Sequence, residues 1–200
     1  MRGSTARGHL PSPRLIAHTA RVPAFFFAFV AAMVLGMGAR DQLTLAALTA
    51  RQGQRPAALL IALGCAVAAT LLAAAASLGA LALPAGVRQM VLVLALALAG
   101  VELLLARKPP VPREPTASLA AMGIVILAHQ LTDATRLLVF ALALVTQAPW
   151  VAAAGGAVGS ACALALGWNA PSAFASPRLV WLRRAMGGLA LSAAAVALFA

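Results

Sequence analysis

Charged residues are scarce in this chain, and acidic residues are the scarcest. Asp, Glu, Lys and Arg make up 10% of the 200 residues, and only four residues are Asp or Glu. Hydrophobic residues account for 63%, which leaves too little polar material to cover the surface of a water-soluble fold. The composition therefore excludes a soluble domain and predicts an integral membrane protein that contacts the lipid bilayer.

The chain also lacks the residue patterns of redox, metal-binding and catalytic sites. Its two cysteines, Cys65 and Cys162, lie inside predicted membrane helices without paired spacing or a nearby histidine. We interpret both as small buried apolar residues. The sequence contains no nucleophile–base pair, HExxH motif or phosphate-binding glycine loop, so we expect neither an enzyme nor a resident cofactor.

What the sequence has in abundance is long apolar runs. A helix needs about 20 mostly apolar residues to span a bilayer. Six runs reach or approach this length, and little lies outside them except a basic N-terminal tail. We therefore predict an all-α, polytopic membrane protein with six transmembrane helices, at residues 22–50, 56–83, 88–106, 118–145, 150–168 and 179–200.

The net charge of +11 is distributed as a topology signal. Arg and Lys gather at the ends of apolar runs, so we predict no nucleic-acid partner. The first, third and fifth connections are basic, which predicts that they lie in the cytoplasm and that both termini lie outside. The basic N-terminal tail favours the opposite orientation. We give the connections more weight because three of them agree. We therefore predict a multi-pass protein of a bacterial inner membrane. The sequence indicates no oligomeric state. The basic residues of these connections are Arg51, Arg55, Arg107, Lys108, Arg113, Arg178, Arg183 and Arg184.

The sequence matches itself at an offset of 94 residues, which places Leu43 on Leu137 and one charged cluster on another. Prolines between the two halves exclude helix there and mark a boundary. We therefore predict an N-terminal basic tail at 1–21, a first three-helix repeat at 22–106, a proline-rich linker at 107–117 and a second three-helix repeat at 118–200.

Three spans per half is an odd number, so the two halves would lie in opposite orientations. Inverted repeats with polar breaks at matching positions are typical of secondary transporters, whose substrate site lies at the repeat interface near the bilayer midplane. The alternative is a duplication without transport.

A short charged cluster interrupts the apolar pattern near the middle of the first and fourth predicted spans. The clusters read Gly-Met-Gly-Ala-Arg-Asp-Gln-Leu at 36–43 and His-Gln-Leu-Thr-Asp-Ala-Thr-Arg-Leu at 129–137. A charge at bilayer depth costs several kcal/mol, so such residues normally face a bundle interior and mark an ion or proton path. We predict that Asp41 and Asp133 lie buried near the bilayer centre and close together.

Spacing suggests two interpretations of the second cluster. His129, Asp133 and Arg136 lie at i, i+4 and i+7 and would share one face of a single helix. They would form either a proton relay through Asp133 or a neutral Asp133–Arg136 pair. In the first cluster Arg40 and Asp41 are adjacent, so each needs a partner on another helix. Cross-pairs between the halves, Arg40 with Asp133 and Arg136 with Asp41, are one possibility.

Glu102 is the remaining acid within a predicted span. It lies about one turn from the end of the third predicted helix, beside Arg107 and Lys108. We expect its carboxylate to reach the membrane interface there, away from the two clusters.

Both clusters resemble one repeated motif, Glu-x-Gly-Asp-Lys/Arg-Thr/Ser-Gln-Leu. The first copy keeps Gly38, Arg40, Gln42 and Leu43, with Gly36, Ala39 and Asp41 in place of the motif's Glu, Asp and Thr/Ser. The second keeps Asp133, Thr135 and Leu137, with Gln130, Thr132 and Ala134 in place of its Glu, Gly and basic residue. In this motif and in helix plan, residues 22–200 resemble the transmembrane-protein-165 (Gdt-one) family of cation exporters.

The resemblance implies a secondary transporter that moves a small divalent cation, Mn²⁺ or Ca²⁺, in exchange for protons. Such cations take several oxygen ligands with negative charge. Here two acids oppose two arginines, which weakens the field, so the alternative is a degenerate member that keeps the fold and binds or regulates another protein. The implied metal ligands are Asp41, Asp133, Gln42, Gln130, Thr132 and Thr135, and Arg40, Arg136 and His129 would serve charge pairing or a proton relay.

Overall fold

A computed structural model describes residues 13–105, 118–170 and 177–199, and in these residues the chain forms eight helices and no strand. Four helices are long and apolar enough to cross a membrane, and the other four form two bent pairs, so the described residues contain four to six candidate spans. The prediction of an all-α membrane protein is confirmed at this level. The helices are α1 (Pro13–Gly36), α2 (Arg40–Gln52), α3 (Pro56–Leu81), α4 (Ala85–Leu104), α5 (Leu119–Leu131), α6 (Ala134–Thr146), α7 (Pro149–Asn169) and α8 (Pro177–Phe199).

Both predicted spans that carry a charged cluster are broken at that cluster. The chain bends by 52° between α1 and α2 and by 50° between α5 and α6. The first break passes through Gly38, whose φ of 75° favours glycine because a side chain would be strained there. The second ends at Asp133, an extended residue whose carboxylate accepts from Thr135 N and so caps α6.

The two short helices after the breaks correspond at the offset of 94 residues. Each has 13 residues, and Arg40 and Gln52 at the ends of α2 correspond to Ala134 and Thr146 at the ends of α6. The next residues correspond as well, because Gly53 and Gln147 both have positive φ. The ends of α2 and α6 therefore match at the offset at which the sequence predicts a repeat.

Helix α1 begins at Pro13, inside the segment 1–21 that was predicted as a tail. Residues 1–12 and the predicted linker at 107–117 lie outside the described residues.

Helices of one half pack against helices of the other. Helix α1 lies along α7, α5 lies against α3, and α4 lies along α8. The α1–α7 contact is close because Gly155 and Gly159 face α1, where an added methyl group would overlap the carbonyl oxygens of Phe25 and Phe29. This interleaving brings the two breaks into one interior.

Candidate ion-binding site at the helix breaks

A hydrogen bond joins the two helix breaks inside the bundle. Gln130 Nε2 donates to Asp41 Oδ2 over 2.9 Å, and both residues are buried. Gln130 Nε2 also lies 3.4 Å from the carbonyl oxygen of Ala62, whereas Gln130 Oε1 has no hydrogen-bond partner among the described residues. The bond connects the second half's cluster directly to the acid of the first.

Both aspartates lie at the start of a short helix. Asp41 is in the first turn of α2, and its Oδ1 accepts from Gln42 N over 2.8 Å. Asp133 caps α6, and its Oδ2 accepts from the backbone N–H and the hydroxyl of Thr135. Helix N-termini favour negative charge, which accounts for acids at these two places. The charges of the two aspartates also act on each other.

Two of the predicted neutral ligands have structural partners in this conformation. Gln42 is fully buried, and its Nε2 donates to the carbonyl oxygen of Ala163 over 2.5 Å while its Oε1 accepts from Gly38 N over 2.6 Å. Gln42 thus holds the first break against α7. Thr132 is exposed, and its hydroxyl donates to the carbonyl oxygen of Ala128 over 3.0 Å. The structure does not bring Thr132 into the buried cluster.

The predicted face shared by His129, Asp133 and Arg136 is wrong, because α5 ends before Asp133 and α6 begins after it at a 50° bend. Asp133 forms its ion pair with Arg183, so the Asp133–Arg136 pair is also wrong within the described residues. His129 is half-buried, and no residue in the described part of the chain forms a hydrogen bond with its Nδ1. The helix break therefore separates the three residues that spacing placed on one face.

Arg136 is buried and contacts a neutral partner. Its Nη1 donates to Ser160 Oγ of α7 over 2.8 Å, while its Nε has no hydrogen-bond partner within residues 13–105, 118–170 and 177–199. Its charge acts on Asp41 and Asp133, although it makes no ion pair within 4.0 Å among the described residues. An apolar groove of about 370 Å³ between α3, α4 and α6 reaches Arg136.

Two residues of the cluster were missed at the level of sequence. Glu102 does not lie apart at the interface, because its Oε2 is 3.3 Å from Arg183 Nη2 and its Oε1 is 3.7 Å from Arg40 Nη2. It also accepts from Ala134 N over 3.4 Å. Arg40 therefore pairs with Glu102, and the suggested Arg40–Asp133 pair is wrong.

Arg183 is the second missed residue. It was assigned to a basic connection, but it lies inside α8, is 3% exposed and pairs with Asp133 over 3.1 Å. It therefore does not contribute to the topology signal. The available indication was position: Glu102 and Arg183 both fall within helices that are apolar enough to span a membrane, where a charge requires a partner.

The complete cluster is balanced in formal charge. Three carboxylates oppose three guanidiniums, and among the described residues no group of three or more His, Cys, Asp or Glu side chains is placed to hold a metal ion. A cation could enter only if the present pairs rearranged. The members are Asp41, Asp133, Glu102, Arg40, Arg136 and Arg183.

Comparison with known protein families, with curated proteins and with solved structures finds no match for this chain. Its own geometry therefore carries the functional argument.

Proposed function

We propose that this protein is a secondary-active transporter whose cargo path passes between the two helix breaks. The observation that carries the proposal is the buried hydrogen bond from Gln130 to Asp41, which joins the broken ends of both halves. Broken membrane helices whose ends meet in a bundle interior are typical binding sites of secondary transporters. The protein is not an enzyme in this proposal.

The proposed architecture is six spans in two inverted three-helix repeats. Each bent pair counts as one span, so each half contains a bent span followed by two straight ones. Matching helix ends at the 94-residue offset and the packing of α1 on α7 and α5 on α3 support this arrangement. The short basic connections favour a bacterial inner membrane as its location.

The proposed cargo is a small divalent cation, Mn²⁺ or Ca²⁺, moved in exchange for protons. Two buried carboxylates, the partly buried carboxylate of Glu102 and several amide and hydroxyl oxygens supply the hard donors that these cations take. The protein would offer them only after its own arginines release the carboxylates. Protonation of the released acids would provide the return half of the exchange.

Transport into proteoliposomes tests the proposal. Under an imposed proton gradient, Mn²⁺ entry is read by quenching of a trapped dye for the natural protein and for Asp41→Asn and Asp133→Asn. One unit charge at 4 Å is worth ~4 kcal/mol at an effective dielectric constant of 20, so we expect each variant to lose at least about tenfold in rate.

Arg88→Gln is the matched control for this experiment. Arg88 lies in α4 near Ala197 at the end of α8, outside the charged cluster. Its rate should equal that of the natural protein. Mn²⁺ entry no faster than in empty vesicles, with the protein folded and inserted, would reject transport of this cation.

A second candidate function is that of a degenerate transporter fold that binds or regulates another membrane protein. The observation that favours it is the equal number of carboxylates and arginines, which leaves no net negative charge for a cation. Under this candidate, neither the natural protein nor any aspartate variant would move Mn²⁺, although all would fold.

A further inference from the structure

The guanidinium of Arg183 lies among three oxygen atoms that come from three other helices. Its Nη2 is 3.1 Å from Asp133 Oδ1 and 3.3 Å from Glu102 Oε2, and its Nη1 donates to the carbonyl oxygen of Leu35 over 2.5 Å. The side chain is 4% exposed. A buried positive charge on α8 is thus surrounded by α1, α4 and α6.

The carbonyl oxygen of Leu35 is available because α1 breaks immediately after it. In an unbroken helix Ala39 N would donate to this oxygen, but Ala39 N donates to Gly36 O instead over 3.1 Å. Gly38 N, the other nearby donor, is bound to Gln42 Oε1. The carbonyl end of a helix favours cations, and carbonyls freed at such breaks coordinate cations in transporters.

These oxygens are a donor set that an inorganic cation would accept. Two carboxylates and one carbonyl provide hard ligands and two negative charges, and water completes the coordination of Ca²⁺ or Mn²⁺ in many sites. The same three atoms now hold a guanidinium, which is also a cation. The same three oxygen atoms can therefore hold either of two cations, the guanidinium of Arg183 or an inorganic cation.

We infer that Arg183 is a tethered cation filling a cation-binding site formed by Asp133, Glu102 and the Leu35 carbonyl, and that a divalent cation binds there when Arg183 withdraws. The inference rests on the proposed function and specifies its site. Arg183 and the cargo compete for the same oxygens, so the described conformation is the one without cargo. The half-exposed Arg40, 3.7 Å from Glu102, lies on the outer side of this site.

Removal of the tethered cation tests the inference in the full-length protein in detergent. We expect 5 mM Mn²⁺ or Ca²⁺, on the order of a hundredfold excess over Kd, to raise the Tm of Arg183→Ala by about 5 °C. The natural protein should shift much less, because its own guanidinium competes. Arg184→Ala is the matched control: Arg184 is the next residue, but it lies over the exposed Trp181 ring, 5.5 Å from its centroid, and its removal should create no cation response.

A triple variant shows whether the carboxylates are the ligands. Arg183→Ala combined with Glu102→Gln and Asp133→Asn removes the charge of both acids, so the cation-dependent rise in Tm should disappear. An equal rise in the triple variant would place the bound cation elsewhere and overturn the inference.

Free guanidinium ion separates a cation site from a purely structural pair. Low, non-denaturing guanidinium should stabilise Arg183→Ala under either explanation, because it replaces the lost group. Stabilisation by guanidinium without any effect of Mn²⁺ or Ca²⁺ would overturn the inference. Arg183→Gln, which keeps hydrogen-bond donors without the charge, serves as the second variant if Arg183→Ala does not fold, and it should show the same divalent response.

The inference and the proposed function fail in different ways. Cation binding by Arg183→Ala, with no transport by the natural protein, would support the site and reject transport. Transport by the natural protein that depends on Asp41 and Asp133, without divalent binding by either Arg183 variant, would reject the tethered cation and leave the transporter.

Discussion

At the scale of single residues, the cluster is held by neutral amides as much as by ion pairs. Gln130 stands where the resembled motif has an acid, and it donates a hydrogen bond to Asp41 that an ionised carboxylate could not provide. Gln42 joins the first break to α7 through both ends of its amide. These two amides hold the first break in place without adding negative charge.

Gln130→Leu should destabilise the protein, because it removes a donor from a buried carboxylate while roughly preserving volume. Leaving a buried polar group unsatisfied costs ~1–3 kcal/mol, so we expect Tm in detergent to fall by about 5 °C. The matched control is Gln89→Leu, because Gln89 is exposed and donates to the carbonyl oxygen of Ala197, not to a carboxylate, in the described part of the chain. A Tm unchanged in Gln130→Leu would mean that this bond adds nothing to stability.

The ion pairs of the site depend on which side of α8 faces the bundle interior, and the sequence did not reveal this orientation. Arg183 and Arg184 are neighbours with identical side chains, yet one is buried beside Asp133 and the other is exposed beside Trp181. Only the packing of α8 on α4 decides which of them faces inward. Charge counting therefore located the cluster in the two breaks but could not find Glu102 or Arg183.

At the scale of helices, small residues determine how closely the halves approach. Helix α7 presents Gly155 and Gly159 to the backbone of α1, so these two helices touch almost without side chains between them. Membrane helices gain stability from such close packing because lipid supplies no hydrophobic drive between them. The α1–α7 pair is therefore a firm contact between the two halves.

Gly155→Ala should weaken this contact, because the added methyl group would overlap the carbonyl oxygen of Phe25 and push α1 away. Overpacking of this kind costs ~1–3 kcal/mol, which predicts a fall in Tm of about 5 °C. Gly64→Ala in α3 is the matched control, since an added methyl group there meets no atom within 4 Å. Its Tm should stay the same or rise slightly. Equal values for the two variants would show that the α1–α7 approach is less tight than the glycines indicate.

The four unbroken candidate spans could be placed to within a few residues from the sequence, because apolar runs of bilayer length have few alternatives. The bends could not, although the clusters marked their places. A bend depends on how a few backbone groups are satisfied, such as Gly38 N by Gln42 and Thr135 N by Asp133. Hydropathy contains no information about those hydrogen bonds. It therefore predicted a single helix at 22–50 and another at 118–145.

At the scale of the whole molecule, the proposed inverted repeat depends on whether each bent pair crosses the membrane or turns back. Single cysteines at Gln54 and Gln147, in a background with Cys65→Ala and Cys162→Ala, distinguish the two cases for the second bent pair, because α3, α4 and that pair are the described helices between the two positions. Both positions are exposed. Gln147 directly follows α6, and Gln54 lies one residue beyond Gly53, which caps the end of α2. If the second pair crosses, a membrane-impermeant maleimide added outside intact cells should label only one of the two.

Labelling of both positions from the same side would show that the second bent pair re-enters instead of crossing, and the inverted repeat would then be wrong. Membrane permeabilisation provides the control, since both cysteines should then react. The result does not depend on which terminus faces the cytoplasm.

The equality of carboxylates and guanidiniums in the cluster has an electrical consequence. Moving one elementary charge through a membrane potential of 100 mV involves about 2.3 kcal/mol. A carrier whose buried charges cancel takes only the charge of its cargo through the field. Exchange of one divalent cation for one proton would therefore move two charges in one direction and one in the other, so that membrane voltage acts on both steps and one net charge crosses per cycle.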